Sequence, residues 1–212
     1  MGYRQPAMTE LSDKRFVHLF STPIVEHRWP DVDSLNAELR KIVLAREKDD
    51  KGEVRSNAGG WHSQGDFERW SGETGQQLIQ RLGKQINHAT ALYYRNHTLK
   101  EPIRWRVTMW ANVNRKGHFN RTHIHPGATW SGVYYVDEGD EAVDNKESGA
   151  FVLHHPNLAA AMGFFPEITP QSYVVRPVAG LMLVFPSYLP HEVYPYFGKR
   201  PRISIAFNAK RE

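Results

Sequence analysis

Residues 202–208, Arg202-Ile203-Ser204-Ile205-Ala206-Phe207-Asn208, are the stretch on which the fold reading turns. Polar and apolar residues alternate. Successive strand side chains point to opposite faces, so Arg202, Ser204 and Asn208 share one face and Ile203, Ile205 and Phe207 the other. An arginine aimed into a barrel needs an anionic partner, because an unpaired buried charge is very costly. A bidentate carboxylate is its natural match.

Working back from this strand, the chain from Ile103 onward is a series of short runs rich in Val, Ile, Tyr, Phe and Trp, broken by Gly, Pro, Asn and Asp. Strands are expected near 103–114, 121–125, 130–137, 149–155, 172–177, 180–186, 191–195 and 202–208. Before them, Phe16 to Val25 reads as a short leading strand. Pro30-Asp31 opens a helical pattern with Leu35, Leu39, Val43 and Leu44 near helical spacing. A second helix is expected over Glu73–Tyr94, with Leu78, Leu82, Ile86 and Ala89 on one stripe. Asp49 to Asp66, rich in Gly, Ser, Asn and charge, reads as a long loop. Short strands after two helices give a mainly β protein with flanking helices, a jelly roll or barrel with helices on one face. The expectation is one domain over 1–212: a helical flank and leading strand in 1–100, and a barrel core in 101–212.

The composition is that of a folded globular protein, with 40% hydrophobic and 24% charged residues. There is no cysteine. This excludes disulfides, zinc–thiolate sites, iron–sulfur clusters and a cysteine nucleophile together, so a metal must be held by nitrogen and oxygen. A cytoplasmic location is expected, since the absence of thiols fits a reducing compartment and Met1–Phe20 has no signal-peptide run. No apolar stretch approaches the ~20 residues that cross a bilayer, so no membrane association is expected. The net charge is +4 and the pI about 9.3, but Lys and Arg are spread along the chain. The charge is read as solubility, and nucleic acid is not an expected partner.

Of the 11 histidines, two stand at His123-Ile124-His125. In a strand they point the same way, and two imidazoles on one face can share a metal; two surface histidines are the competing reading. His191 adds a third, where a buried strand ends in the turn Phe185-Pro186-Ser187-Tyr188-Leu189-Pro190. His154-His155 are adjacent and face opposite sides, so they read as structural. His118 reads as a loop or supporting residue. Asp137-Glu-Gly-Asp-Glu141 reads as a solvated hairpin tip. Trp61 and His62, in the long loop, are candidate substrate contacts folded over the metal mouth, with a packed turn as the alternative. No nucleophile elbow, kinase motif, P-loop or dinucleotide fingerprint is present.

At this point the second half of the chain resembles the 2-oxoglutarate/Fe(II) oxygenases, whose pattern is His-x-Asp/Glu, a distal His, then a basic residue and often Arg-x-Ser. His123-x-His125, His191 and Arg202-x-Ser204 fall in that order. Asn112-Val-Asn114-Arg-Lys-Gly117, five residues and His123 resemble the corresponding run of the AlkB-like branch. Ser131-Gly-Val-Tyr-Tyr135 and Phe185-Pro186-Ser187 resemble the prolyl-hydroxylase branch. The nearest likeness is to a bacterial and phage group that shares His-x-His and Arg202-Ile-Ser-Ile-Ala-Phe-Asn. The resemblance spans roughly Ile103 to Ala209 and implies a double-stranded β-helix (cupin-like jelly roll). It further implies Fe(II) on His123, His125 and His191. The cosubstrate 2-oxoglutarate would have its far carboxylate on Arg202 and Ser204, with Asn112 and Tyr135 as weaker contacts. Arg200 is the alternative anchor if Arg202 lies on the surface.

The departure is His125, where the family's usual pattern has a carboxylate. A neutral imidazole brings no negative charge to the metal, and imidazole also suits Zn, Ni and Cu. Three functions therefore stay open. The first is a 2-oxoglutarate-dependent hydroxylase of unknown substrate. The second is a three-histidine cupin-type metalloenzyme that does not use 2-oxoglutarate. The third is a non-catalytic barrel that binds a ligand or protein. Such barrels also pair through edge strands or added helices, which leaves a homodimer possible.

Overall fold

The computed structural model describes residues 22–93, 103–140, 145–157, 159 and 170–212. Among the described residues, eleven strands and three helices follow one another: β1 (Val25–Arg28), α1 (Asp33–Asp49), β2 (Asn57–Ala58), β3 (Trp61–His62), α2 (Phe67–Trp70), α3 (Gly72–Tyr93), β4 (Trp105–Asn114), β5 (Phe119–His123), β6 (Trp130–Asp137), β7 (Phe151–His154), β8 (Ser172–Val175), β9 (Leu181–Pro186), β10 (His191–Val193) and β11 (Arg202–Arg211). They form two antiparallel sheets. The larger runs β1-β9-β6-β11-β4-β3 and the smaller β2-β5-β10-β7-β8. The strands from β4 onward divide evenly, β4, β6, β9 and β11 against β5, β7, β8 and β10, which is a double-stranded β-helix, or jelly roll.

Alternation along the strands builds two apolar layers. Ile203, Ile205, Phe207 and Ala209 of β11 join Trp130, Tyr134 and Val136 of β6 and Met182 and Val184 of β9. These pack against Leu35, Leu39 and Val43 of α1 and Leu78, Leu82, Ile86 and Ala89 of α3. Each fully buried Leu or Ile there contributes about 1.5–3 kcal/mol. The second layer lies between the sheets and holds Val133, Tyr135, Phe151, Leu153, Leu183 and Phe185. Polar ties also dock the helices on the larger sheet. Tyr134 Oη donates to Asn36 Oδ1 at 2.6 Å, Trp130 Nε1 donates to Thr90 Oγ1 at 3.0 Å, and Arg40 Nε donates to Asp137 Oδ2 at 3.0 Å. Gly132 sits where the layers are tightest: a Cβ there would run into the Leu183 carbonyl and the Phe207 ring.

Three expectations need correction. The stretch 49–66 contains β2 and β3 as well as loop. β2 pairs with β5 and β3 with β4, so the short Gly59-Gly60 link steps from one sheet to the other. Gly59 has φ of +85°, a conformation glycine adopts without a Cβ penalty. Two-residue strands carry no period, so no pattern announces them. Second, Asp137 at the end of β6 and Asp140 just beyond it are not simply solvated. Asp137 pairs with Arg40 and lies 3.7 Å from Arg200, and Asp140 Oδ1 accepts from Tyr196 Oη at 2.9 Å. Third, residues 16–21 of the leading strand lie outside the described residues, as does Met1–Phe20, and β1 begins only at Val25. No described helix is long and apolar enough to cross a membrane.

Candidate active site

Between the sheets lies a cavity of about 670 Å³. Three imidazoles converge on it. His123 ends β5 and His191 opens β10, and the two are register partners in the antiparallel pair. His125 stands two residues beyond β5 rather than within a strand. It is fixed by its backbone N–H, which donates to the Ser187 carbonyl at 3.0 Å. Ring centroids are 4.3 Å apart for His123–His191, 4.9 Å for His123–His125 and 5.0 Å for His125–His191. One ring nitrogen from each lies within 4.8 Å of the others.

The tautomers follow from the neighbours. His123 Nδ1 lies 2.7 Å from the Arg121 carbonyl and His191 Nδ1 lies 2.8 Å from the Leu189 carbonyl. A carbonyl only accepts, so both Nδ1 atoms carry the proton and both Nε2 atoms keep a lone pair, that of His123 with the Ser56 hydroxyl 3.4 Å away, the arrangement typical of ligating histidines. Burial lowers all three pKa values, to about 3 for His191 and about 4 for His125, with the His123 charge as the next cause in both. The rings are therefore neutral at neutral pH, the state that binds a metal.

This has a consequence for the metal-free protein. An unfolded histidine titrates near 6.5. Below that value the unfolded chain takes up protons that folded His125 and His191 refuse, until pH falls to about 4 and about 3. The stabilisation is complete above the unfolded pKa and is lost as pH drops through this window. The melting temperature of metal-free protein should fall between about pH 7 and about pH 4. It should fall less steeply in His191→Gln, and parallel curves would show that His191 does not stay neutral in the fold.

A second group of residues forms a cross-strand row. Ser204 of β11 is flanked in register by Asn112 of β4 and Tyr135 of β6, and all three line the cavity with Arg202. Arg202 is 2% exposed. Its Nε has no hydrogen-bond partner, no carboxylate among the described residues lies within ion-pair distance, and its guanidinium carbon sits 5.2 Å from the Tyr135 ring centroid. The Tyr135 hydroxyl is buried and likewise unpartnered. Burial pushes the Tyr135 pKa up and pulls the Arg202 pKa down. A buried cation beside an idle hydroxyl is an anion receptor. Arg200, the alternative anchor, is exposed, and its guanidinium donates to the Gly139 carbonyl.

The loop candidates divide. His62 lines the cavity, pairs in register with Asn112 and stacks on Trp110 at 5.4 Å. Trp61 does not fold over the mouth. It packs against the helix-side layer and its Nε1 donates to the Asp50 carbonyl at 2.8 Å, because neighbours on a strand face opposite ways. Trp110, tilted against His125 at 5.7 Å, was not foreseen. Its place inside β4, two residues before Asn112, is the alternation signal that could have found it. His154 stays structural, its Nε2 2.8 Å from Glu192 Oε1. His118 Nδ1 accepts from the Arg115 backbone N–H at 3.0 Å, which caps a turn.

Residues 108–208 match the family model described as "Putative 2OG-Fe(II) oxygenase". No curated protein sequence matches the chain. Among solved structures, the chain is similar to a Pseudomonas putida prolyl-4-hydroxylase at 20% identity and TM-score 0.64, over 91% of this chain and 94% of that one. It is also similar to a viral collagen prolyl hydroxylase from Paramecium Bursaria Chlorella virus-1, solved as a 2OG complex. There the identity is 11% and the TM-score 0.58, over 88% and 94% of the two chains. A third is the 2-oxoglutarate-dependent epimerase SnoN from nogalamycin biosynthesis, at 11% identity and TM-score 0.60, over 88% and 76%. These likenesses carry the jelly-roll fold, and the family is one that works with Fe(II) and 2-oxoglutarate. Through residues 108–208, which run from β4 into β11, this chain is similar to the 2OG-Fe(II) oxygenases.

Proposed function

We propose that the protein is a 2-oxoglutarate-dependent hydroxylase whose metal is held by His123, His125 and His191 and whose cosubstrate is anchored by Arg202 and Ser204. The observation that carries this reading is Arg202 itself, buried without a counter-ion in the same cavity as three neutral imidazoles. When bound, Fe(II) and 2-oxoglutarate supply oxygen activation, with the cosubstrate oxidised to succinate and carbon dioxide. The protein's part is positional. Arg202 offers a fork of donors to the distal carboxylate, Ser204 and the Tyr135 hydroxyl add one donor each, and Asn112 borders the same row. The Arg121 and Leu189 carbonyls hold two of the imidazoles in the tautomer whose Nε2 keeps its lone pair. Phe151 and Phe185, against the His191 ring at 5.6 and 4.9 Å, keep water from that side.

The reading also takes 1–212 as one domain, supported by α1 and α3 burying their stripes on the larger sheet rather than on a core of their own. A three-histidine enzyme that ignores 2-oxoglutarate would leave Arg202 without a role. Succinate release in the presence of Fe(II), oxygen and a panel of candidate substrates separates the two. Release that requires both Fe(II) and 2-oxoglutarate is expected, and metal-dependent product formation without 2-oxoglutarate consumption would overturn the assignment.

A further inference from the structure

We infer that Arg121, at the cavity rim, is the recognition point for an anionic group, a carboxylate or a phosphate, on the primary substrate. This deepens the proposed function and rests on it.

Apart from histidines, the charged residues lining the cavity are Glu53, Arg55, Arg121 and Arg202. Arg55 is already neutralised, its Nε and one terminal nitrogen each 2.7 Å from Glu53 Oε2. Arg202 is the buried anchor of the cosubstrate. Arg121 is exposed, and no carboxylate among the described residues lies within ion-pair distance of it. Its guanidinium carbon is 6.0 Å from the Phe119 ring centroid. 2-Oxoglutarate carries two carboxylates, and on the reading above one meets Arg202 and the other the metal. One cation at the mouth is thus left for a different molecule.

The backbone around Arg121 is held in relation to the metal-binding histidines. Its N–H donates to the Ser56 carbonyl at 2.9 Å, which ties it to the segment carrying Arg55. Its carbonyl accepts from His123 Nδ1 at 2.7 Å. The β5–β10 register shifts at this point: His191 faces His123 and Val193 faces Asn120, so Arg121 and Thr122 together oppose Glu192 alone. Such a bulge re-aims side chains beside a site. An exposed guanidinium in bulk water is worth little. At the mouth of a concave cavity, with a ligand displacing water, it contributes more and also steers encounter.

The test uses full-length protein loaded with Mn(II) in place of iron and saturated with 2-oxoglutarate, without oxygen. The readout is paramagnetic relaxation of the protons of added probes, which needs no turnover. The probes are N-acetylglycine, N-acetylglycinamide and methyl phosphate. The acid or the phosphate should be enhanced about tenfold over the amide, as expected of a charge-assisted hydrogen bond, and Arg121→Gln should remove the difference. Glu53→Gln, which frees Arg55, should keep or enlarge it. A stronger response to N-acetylglycine assigns carboxylate, and a stronger response to methyl phosphate assigns phosphate. Equal enhancement of acid, phosphate and amide would overturn the inference, as would an anion preference that survives Arg121→Gln. Failure of the parent reading has a separate signature: water relaxation would reveal no bound Mn(II), or no change when 2-oxoglutarate is added.

Discussion

Arg202→Met should raise the KM for 2-oxoglutarate by about a hundredfold or more, the usual scale for removing one partner of a buried charge pair. Metal affinity should not change, because Arg202 donates to no imidazole. The same substitution should leave ligand-free protein at least as stable as the parent. Arg202 is buried without a counter-ion and its Nε is orphaned, so its desolvation is uncompensated until an anion arrives, and a methionine of similar length removes that cost. A purely structural arginine would behave in the opposite way, with a lower melting temperature and an unchanged KM. Equilibrium melting without ligand, alongside KM from succinate release, distinguishes the two roles.

His191→Ala should lower Fe(II) affinity by more than about a hundredfold, exceeding what loss of a supporting hydrogen bond costs a metal site, and abolish turnover. His191 is the most buried of the three imidazoles and lies between the other two and the Phe151–Phe185 wall. His125→Asp is the informative companion, since it installs the carboxylate that the family pattern usually has. It should retain metal, whereas His125→Ala should lose most of it. Metal content after dialysis against a weak chelator measures both. If His125→Ala kept full occupancy, His125 would be a bystander and the two-histidine pair His123–His191 would need another ligand.

Much of this was legible in the chain. The alternation of residues 202–208 put Arg202 and Ser204 on one face and Ile203, Ile205 and Phe207 on the other, and in the structure the first face lines the cavity and the second meets the helices. The stripes of α1 and α3 were equally plain, because a 3.6-residue period repeats several times in each. The short pieces were not legible. β2, β3 and α2 are two to four residues long, too short for any period; β2 and β3 exist because pairing with β5 and β4 supplies what local sequence does not, and α2 because it packs against α3 and β4. Trp61 illustrates the same limit. Its neighbour His62 faces the cavity, and only the register of β3 on β4 decides which of the two does so. Arg121 escaped notice because its placement depends on a shifted register that leaves no mark in composition or spacing.

The most direct test of the central claim is a visible spectrum recorded without oxygen as Fe(II) and then 2-oxoglutarate are added to metal-free protein. Chelation of the keto acid by iron produces a weak charge-transfer band that neither component shows alone. The account predicts that this band appears with the parent protein and is lost in both Arg202→Met, at cosubstrate concentrations near the parent's saturation, and His191→Ala. Tight Fe(II) binding with no band at any 2-oxoglutarate concentration would contradict it, and would leave the cavity a three-histidine metal site of another kind.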